Sequence, residues 1–179
     1  MRNRIALTMG DPAGVGPEIC LKLLARLESD SRPVIIGDVG ELRRQAEVLG
    51  LALHVVEIDS PASSRPEHGK VEVVQAGILS DTVTMGRIDA ACGQIAFDCV
   101  SAAIDLALSG EIDGIVTAPI NKAAMSEAGI AFPGHTEILA HHANCEVAMM
   151  LANEQLRVVL ASIHVSLRRA IDDCTVASQ

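Results

Sequence analysis

From Arg4 to the end of the chain, short apolar runs alternate with segments whose apolar positions recur every three or four residues. Arg4 to Met9 reads as a strand, and Ile19, Cys20, Leu23, Leu24 and Leu27 recur at helical spacing beyond a glycine-rich turn. Pro33 to Gly37 predicts a second strand, Glu41 to Leu49 a helix closed by Gly50, and Leu51 to Ile58 a third strand. A polar loop from Ser60 to Gly69 leads to Lys70 to Gln75, whose alternation suggests an edge strand. Between Arg87 and Ser109, Ile88, Cys92, Ile95, Cys99, Ala103 and Leu106 step by three or four, which predicts a long amphipathic helix ending at Gly110. Gly114 to Thr117 reads as a buried strand, Asn121 as the cap of a helix running to Ala128, and Thr136 to His142 as a further helix. Val147 to Leu151 and Leu156 to Val165 read as strands, the second buried in a sheet, and Ser166 as the cap of a last helix carrying Leu167, Ile171 and Cys174.

Strands alternating with helices favour parallel strands joined by crossovers, so the fold class is α/β with a mostly parallel sheet flanked by helices. The pattern divides into a first α/β domain over residues 1–120 and the beginning of a second over 121–179. The last helix has barely begun when the chain stops, which predicts a truncated polypeptide; a compact domain with a terminal helix is the alternative.

Composition narrows the function. The chain has 179 residues, 49% of them hydrophobic, enough for one sizeable core. Acidic residues outnumber basic ones by 23 to 14, and no Lys/Arg stripe is available to neutralise a phosphate backbone, so nucleic acid is not an expected partner. Trp and Tyr are absent and Phe97 and Phe132 are the only aromatic residues, which argues against base stacking or aromatic-anchored recognition. No signal-peptide core or membrane-length apolar run stands out, so a cytoplasmic protein is expected. Cysteines 20, 92, 99, 145 and 174 contain no C-x-x-C pair and read as reduced thiols used mainly for packing.

Three places carry candidate chemistry. The turn Thr8-Met9-Gly10-Asp11-Pro12-Ala13-Gly14-Val15-Gly16-Pro17-Glu18 has glycines that permit positive φ and close backbone approach, ahead of a helix N-terminus suited to an anion. It matches neither G-x-G-x-x-G nor the Walker A pattern, and the same glycines fit a purely structural turn. In Pro133-Gly134-His135-Thr136-Glu137, an imidazole and a hydroxyl follow a permissive glycine and can orient a phosphate or carboxylate; alternatively Thr136 only caps a helix. His141 and His142, adjacent on a helix, do not make a shared metal site. His164 ends the apolar run Leu156 to Ile163, at the kind of strand end where open α/β sheets hold ligands, but one histidine makes no metal site. Lys122 is a weaker catalytic or anion-binding candidate.

In order and separation these segments resemble the 4-hydroxythreonine-4-phosphate dehydrogenases of the PdxA family. The resemblance rests on Thr8 to Glu18, on Thr117-Ala118-Pro119-Ile120-Asn121-Lys122, on Ala128-Gly129-Ile130 with Pro133 to Glu137, and on Met149-Met150-Leu151 leading to His164. It implies the fold of the isocitrate and isopropylmalate dehydrogenases, and NAD or NADP as cofactor. It also implies a divalent metal (zinc, with magnesium or cobalt as alternatives) and a homodimer whose active site is shared between subunits. His135 and Thr136 would then bind the substrate at its anionic end, and His164 would be one of three metal-ligating histidines. The implied reaction oxidises 4-phosphooxy-L-threonine to a 3-keto acid that decarboxylates to 3-amino-2-oxopropyl phosphate on the route to pyridoxal 5'-phosphate. Family members continue well past the position of Gln179 and carry two further metal-binding histidines there, so this chain is expected to be a partial or inactive fragment. A related branch acting on another four-carbon phosphorylated hydroxy acid or a dihydrodiol, a phosphate or acyl transferase, and a non-catalytic binding fragment are the competing readings.

Overall fold

The computed structural model describes residues 3–27, 33–162 and 165–176, in two compact units, Met1–Ala143 and Asn144–Gln179. In the first unit β1 (Ile5–Thr8), β2 (Val34–Gly37), β3 (His54–Glu57), β4 (Lys70–Gln75) and β5 (Gly114–Thr117) form one sheet in the order β3-β4-β2-β1-β5. Every pairing is parallel. The α/β architecture read from the sequence is therefore present, with helices α1 (Gly16–Arg26), α2 (Val39–Val48) and α3 (Ala90–Leu108) in the crossovers.

From β1 through α1 to β2 the chain moves toward the β3 edge, and from β4 through α3 to β5 it returns past β2 and β1. Right-handed crossovers place helices with opposite travel on opposite faces. α1 and α2 accordingly pack together, while α3 lies across β2, β1 and β5 and carries α4 (Lys122–Glu127) and α5 (His135–Ala143) on it. Cys20, Leu21 and Leu24 of α1, Leu42 of α2, Ile35 and Ile36 of β2, and Cys99 and Ala103 of α3 are buried in the main core. A second cluster joins Val100 and Ile104 of α3 to Met125 of α4 and Ile138 of α5. α4 and α5 thus pack with the first unit, and the units divide between Ala143 and Asn144, whereas the sequence pattern suggested a division after residue 120.

By length and composition α3 could cross a membrane, yet its apolar face is spent on core contacts with the sheet, α4 and α5. Asp89 caps it by accepting from the N–H groups of Ala91 and Cys92, as Asp38 caps α2 through the N–H of Glu41. Gly93, inside α3, lets the helix lie against the backbone of Ala124 and Met125, which a Cβ at that position would overlap.

Two sequence expectations are corrected. β4 is interior, between β3 and β2, and β3 is the edge. The misleading residue is Glu72, which looks solvent-facing but is buried and accepts from Lys70 Nζ at 2.6 Å, the Arg65 N–H at 2.8 Å and the Ser64 hydroxyl. In the second unit β6 (Met150–Ala152) and β7 (Arg157–Val159) form an antiparallel hairpin, and Leu156 and Val159 are exposed where a buried sheet strand was expected. Asn153 makes the hairpin turn, its side chain accepting from the N–H groups of Gln155 and Leu156. Ser166 caps α6 (Leu167–Asp173) through the N–H of Arg169.

Candidate functional site

Neighbouring strands β1 and β5 end side by side, Thr8 opposite Thr117, and their outgoing loops part toward different faces of the sheet. This is the topological switch point at which open α/β sheets bind ligands. A cleft of about 600 Å³ opens there, lined by Asp11, Gly14 and Val15 from one loop and by Pro119, Asn121 and Lys122 from the other.

Backbone bonds lock the loops together: the Ala118 N–H donates to Thr8 O at 3.2 Å and the Asp11 N–H to Pro119 O at 2.9 Å. Gly10 makes this possible, since it adopts φ +73° and a Cβ there would overlap the Pro119 carbonyl oxygen. Gly16 is also required sterically, because a Cβ would run into Met9 O, but neither it nor Gly14 uses positive φ. α1 begins at the cleft with no side-chain cap.

Asp11 is buried and accepts from the Ala13 N–H at 2.9 Å, and its carboxyl is also bonded to the Asn121 side chain. Burial raises its pKa above the ordinary value, opposed by the hydrogen bonds of Ala13 and Asn121 and reinforced by Asp89. Asn121 turns its Oδ1 to the N–H groups of Ala123 and Ala124 and so caps α4, as the sequence suggested. Lys122 is exposed in the first turn of α4, at the rim of the cleft.

His135 opens α5 beside the backbone of Ala118, which brings the third motif to the loop after β5. Burial lowers the pKa of its imidazole, partly offset by the Ala118 backbone. Nε2 is buried with no partner, as is Thr8 Oγ1. An unmade buried hydrogen bond costs about 1–3 kcal/mol, and such atoms are where a ligand group is sought. Thr136 lies inside the first turn of α5, so it is not the helix cap.

The far end of α5 is held by ring contacts: His142 meets Phe97 of α3 at 5.5 Å, and His141 lies 5.2 Å from Phe132, which precedes α5 and stacks on Phe97 at 5.8 Å. His142 Nε2 also lies 3.4 Å from the Ser101 hydroxyl. His141 and His142 are thereby part of this packing.

His164 lies outside the described residues. Among the described residues no group of three or more His, Cys, Asp or Glu could hold a metal ion. Cys20, Cys92 and Cys99 are buried, burial pushing the Cys20 thiol up to about 12 and the Cys92 thiol up to about 11, so neither is a nucleophile near neutral pH. Cys145 and Cys174 are exposed, against the packing role expected of them.

Sequence reasoning singled out Lys122, His135 and Thr136, and carried Thr8, Asp11 and Ala118 only as members of motifs. The Asp-Pro step after Gly10 was a turn signal that could have drawn attention to Asp11.

Comparison with known proteins adds the following. The family profile described as Pyridoxal phosphate biosynthetic protein PdxA matches residues 29–178. The 4-hydroxythreonine-4-phosphate dehydrogenase of Beijerinckia indica is 43% identical over 93% of this chain and 50% of its own length. The D-threonate 4-phosphate dehydrogenase of Cupriavidus necator is 37% identical over 93% of this chain and 51% of its own. A 4-hydroxythreonine-4-phosphate dehydrogenase structure from Klebsiella pneumoniae superposes with a TM-score of 0.88 at 40% identity, covering 95% of this chain and 54% of that one. The chain spans about half the length of the curated relatives it matches.

Proposed function

The chain belongs to the PdxA family, and from that premise we propose that the protein carrying these residues oxidises 4-phosphooxy-L-threonine with NAD or NADP. The hydroxyl-bearing carbon gives a hydride to the nicotinamide ring and the hydroxyl gives up its proton. The product is a 3-keto acid, whose loss of carbon dioxide leaves 3-amino-2-oxopropyl phosphate for pyridoxal 5'-phosphate formation.

The observation that carries this reading is the meeting of the loops after β1 and β5 at one cleft lined by Asp11, Pro119 and Asn121, with His135 of the third motif beside the Ala118 backbone. His135 and Thr136 are the proposed substrate contacts, and Lys122 is a weaker candidate for proton transfer or charge neutralisation. His164 is the proposed metal ligand contributed by this chain, with the others on segments outside it. A divalent ion there (zinc, magnesium or cobalt) would supply Lewis acidity toward the reacting oxygen. The same reading includes the fold of the isocitrate and isopropylmalate dehydrogenases, a cytoplasmic homodimer and a shared active site.

One relative, named for D-threonate 4-phosphate, favours a second reading in which another four-carbon phosphorylated hydroxy acid is oxidised. Nicotinamide reduction by the full-length polypeptide, assayed with each acid in turn, separates the two. Turnover with neither would refute both.

A further inference from the structure

Between β4 and α3 the chain makes a tight turn that ties the glycine-rich cleft loop to α2 through a methionine. Thr84 to Arg87 form it, closed by the Arg87 N–H on Thr84 O at 3.3 Å, with Gly86 in positive φ at +76°. At one corner the thioether sulfur of Met85 accepts from Gln45 Nε2 of α2 at 3.2 Å. At the other, the Gly86 N–H donates to Ala13 O at 2.8 Å. Val83, just before the turn, is buried with Ala13 and Cys92. The Ala13 N–H is in turn given to the Asp11 carboxyl at 2.9 Å, so a continuous line of contacts runs from Met85 to a wall of the cleft.

The two ends of this tie differ in firmness. Gln45 is buried, its Nε2 also donates to Glu41 Oε1 at 2.9 Å, and Arg44 grips both Glu41 oxygens at 2.6 and 2.8 Å. The turn residues Thr84 to Arg87 are all exposed, Met85 by 47%. A thioether so placed is open to small oxidants, whereas Met9 and Met125 are fully buried.

We infer that Met85 is a modification site for hydrogen peroxide, and that its sulfoxide releases the cleft loop. A sulfur lone pair attacks one peroxide oxygen, the O–O bond breaks, and after proton transfer the other oxygen leaves as water; sulfur is oxidised by two electrons and the peroxide is reduced. Gln45 then meets the new oxygen in place of the sulfur. An N–H···O distance of about 2.9 Å joined to an S–O bond of about 1.5 Å sets sulfur and nitrogen about 4 Å apart, against the 3.2 Å found. Glu41 holds Gln45 from behind, so the exposed turn is the part that moves. Gly86 moves with Met85, its bond to Ala13 O opens, and the loop carrying Asp11 loosens. Enzymatic reduction of the sulfoxide reverses the change.

Peroxide treatment of the 179-residue chain carrying Met149→Leu and Met150→Leu, which removes two other exposed methionines, tests this by peptide mass spectrometry and by amide exchange in NMR. A sulfoxide at Met85 is expected, with Met9 and Met125 unmodified and exchange of the Gly86 amide about two- to tenfold faster. Methionine sulfoxide reductases of both stereospecificities should restore the slow rate, and a further Met85→Leu substitution should abolish the response to peroxide. Met85 left unoxidised under conditions that modify Met149 and Met150 in the parent chain overturns the inference. So does a Met85 sulfoxide with Gly86 exchange unchanged, or an equal acceleration in the Met85→Leu chain. Exchange that stays fast after complete reduction would mark damage to the fold and overturn the release of a loop.

Discussion

Gly93→Ala sets two effects of opposite sign against each other. In the interior of α3, replacing glycine by alanine should stabilise the helix by about 1 kcal/mol through the lower entropy of the unfolded chain. At this position, however, a Cβ would overlap the carbonyl carbon and oxygen of Ala124 and come within 2.5 Å of the Met125 nitrogen. These are backbone atoms of α4, so no rotamer change relieves the overlap. α4 must move as a body, dragging Met125, which is fully buried against Val100, Ile104 and Ile138. Overpacking of this kind costs about 1–3 kcal/mol and more when backbone is involved. The steric effect should win, leaving a net loss of about 2 kcal/mol once the gain in propensity is subtracted. With a urea m-value of about 2 kcal/mol/M, the midpoint falls by about 1 M. Urea unfolding followed by circular dichroism measures this. A midpoint equal to or above that of the parent would mean that α3 and α4 are not in backbone contact, and the placement of Asn121 and Lys122 would lose its support.

Other perturbations probe the remaining links. Gly10→Ala and Gly110→Ala both force a side chain into positive φ (+73° and +76°), at about 1–2 kcal/mol each, but only Gly10 has a carbonyl in the way. Thermal melts should therefore show Gly10→Ala clearly the more destabilised, and equal losses would refute the close approach to Pro119. Asp11 has a raised folded pKa, so ionisation penalises the fold as pH climbs from its ordinary value of 3.8 through the raised one. Asp11→Asn should flatten that part of the stability profile, measured by denaturation across pH, and an unchanged slope would contradict it. Glu72 behaves in the opposite sense. Burial pulls its pKa up, but Lys70, Ser64 and the Arg65 N–H outweigh this and hold it below the ordinary 4.5. Its contribution is present above that value and lost as pH falls through the lowered one. Lys70→Met should destabilise the chain at neutral pH and shrink the loss on acidification, and equal acid sensitivity would refute the pairing.

Local features were legible in the sequence where one residue decides them. Asn121 before a helical stretch and Ser166 before another were readable as caps, and Gly50 and Gly110 as helix ends in positive φ. Apolar periodicity likewise placed α3 to within three residues at its start and one at its end, Asp89 being the missed cap. Errors arose where long-range pairing overrides local pattern. Alternation in Lys70 to Gln75 resembled a half-exposed edge until Glu72 found Lys70, Ser64 and Arg65. The apolar run from Leu156 suggested burial, whereas its described part is the second strand of an exposed hairpin. The site was legible as three separate motifs, but their meeting depends on β5 pairing with β1 across the whole first unit.

That meeting also constrains the electrostatics of the proposed substrate. A phosphomonoester carries about 1.5 to 2 negative charges near neutral pH and is held best by several cations or charge-assisted donors. Around the β1/β5 cleft the first unit offers Lys122 at the rim, set against the Asp11 carboxyl. His135 cannot add a positive charge cheaply, because burial desolvates its imidazole and lowers its pKa. If a phosphorylated hydroxy acid binds here, most of its phosphate neutralisation has to come from groups outside this cleft. Steric fit on this side, and charge on the other, would divide recognition of one small substrate between two surfaces, an arrangement that suits the proposed site shared by two subunits.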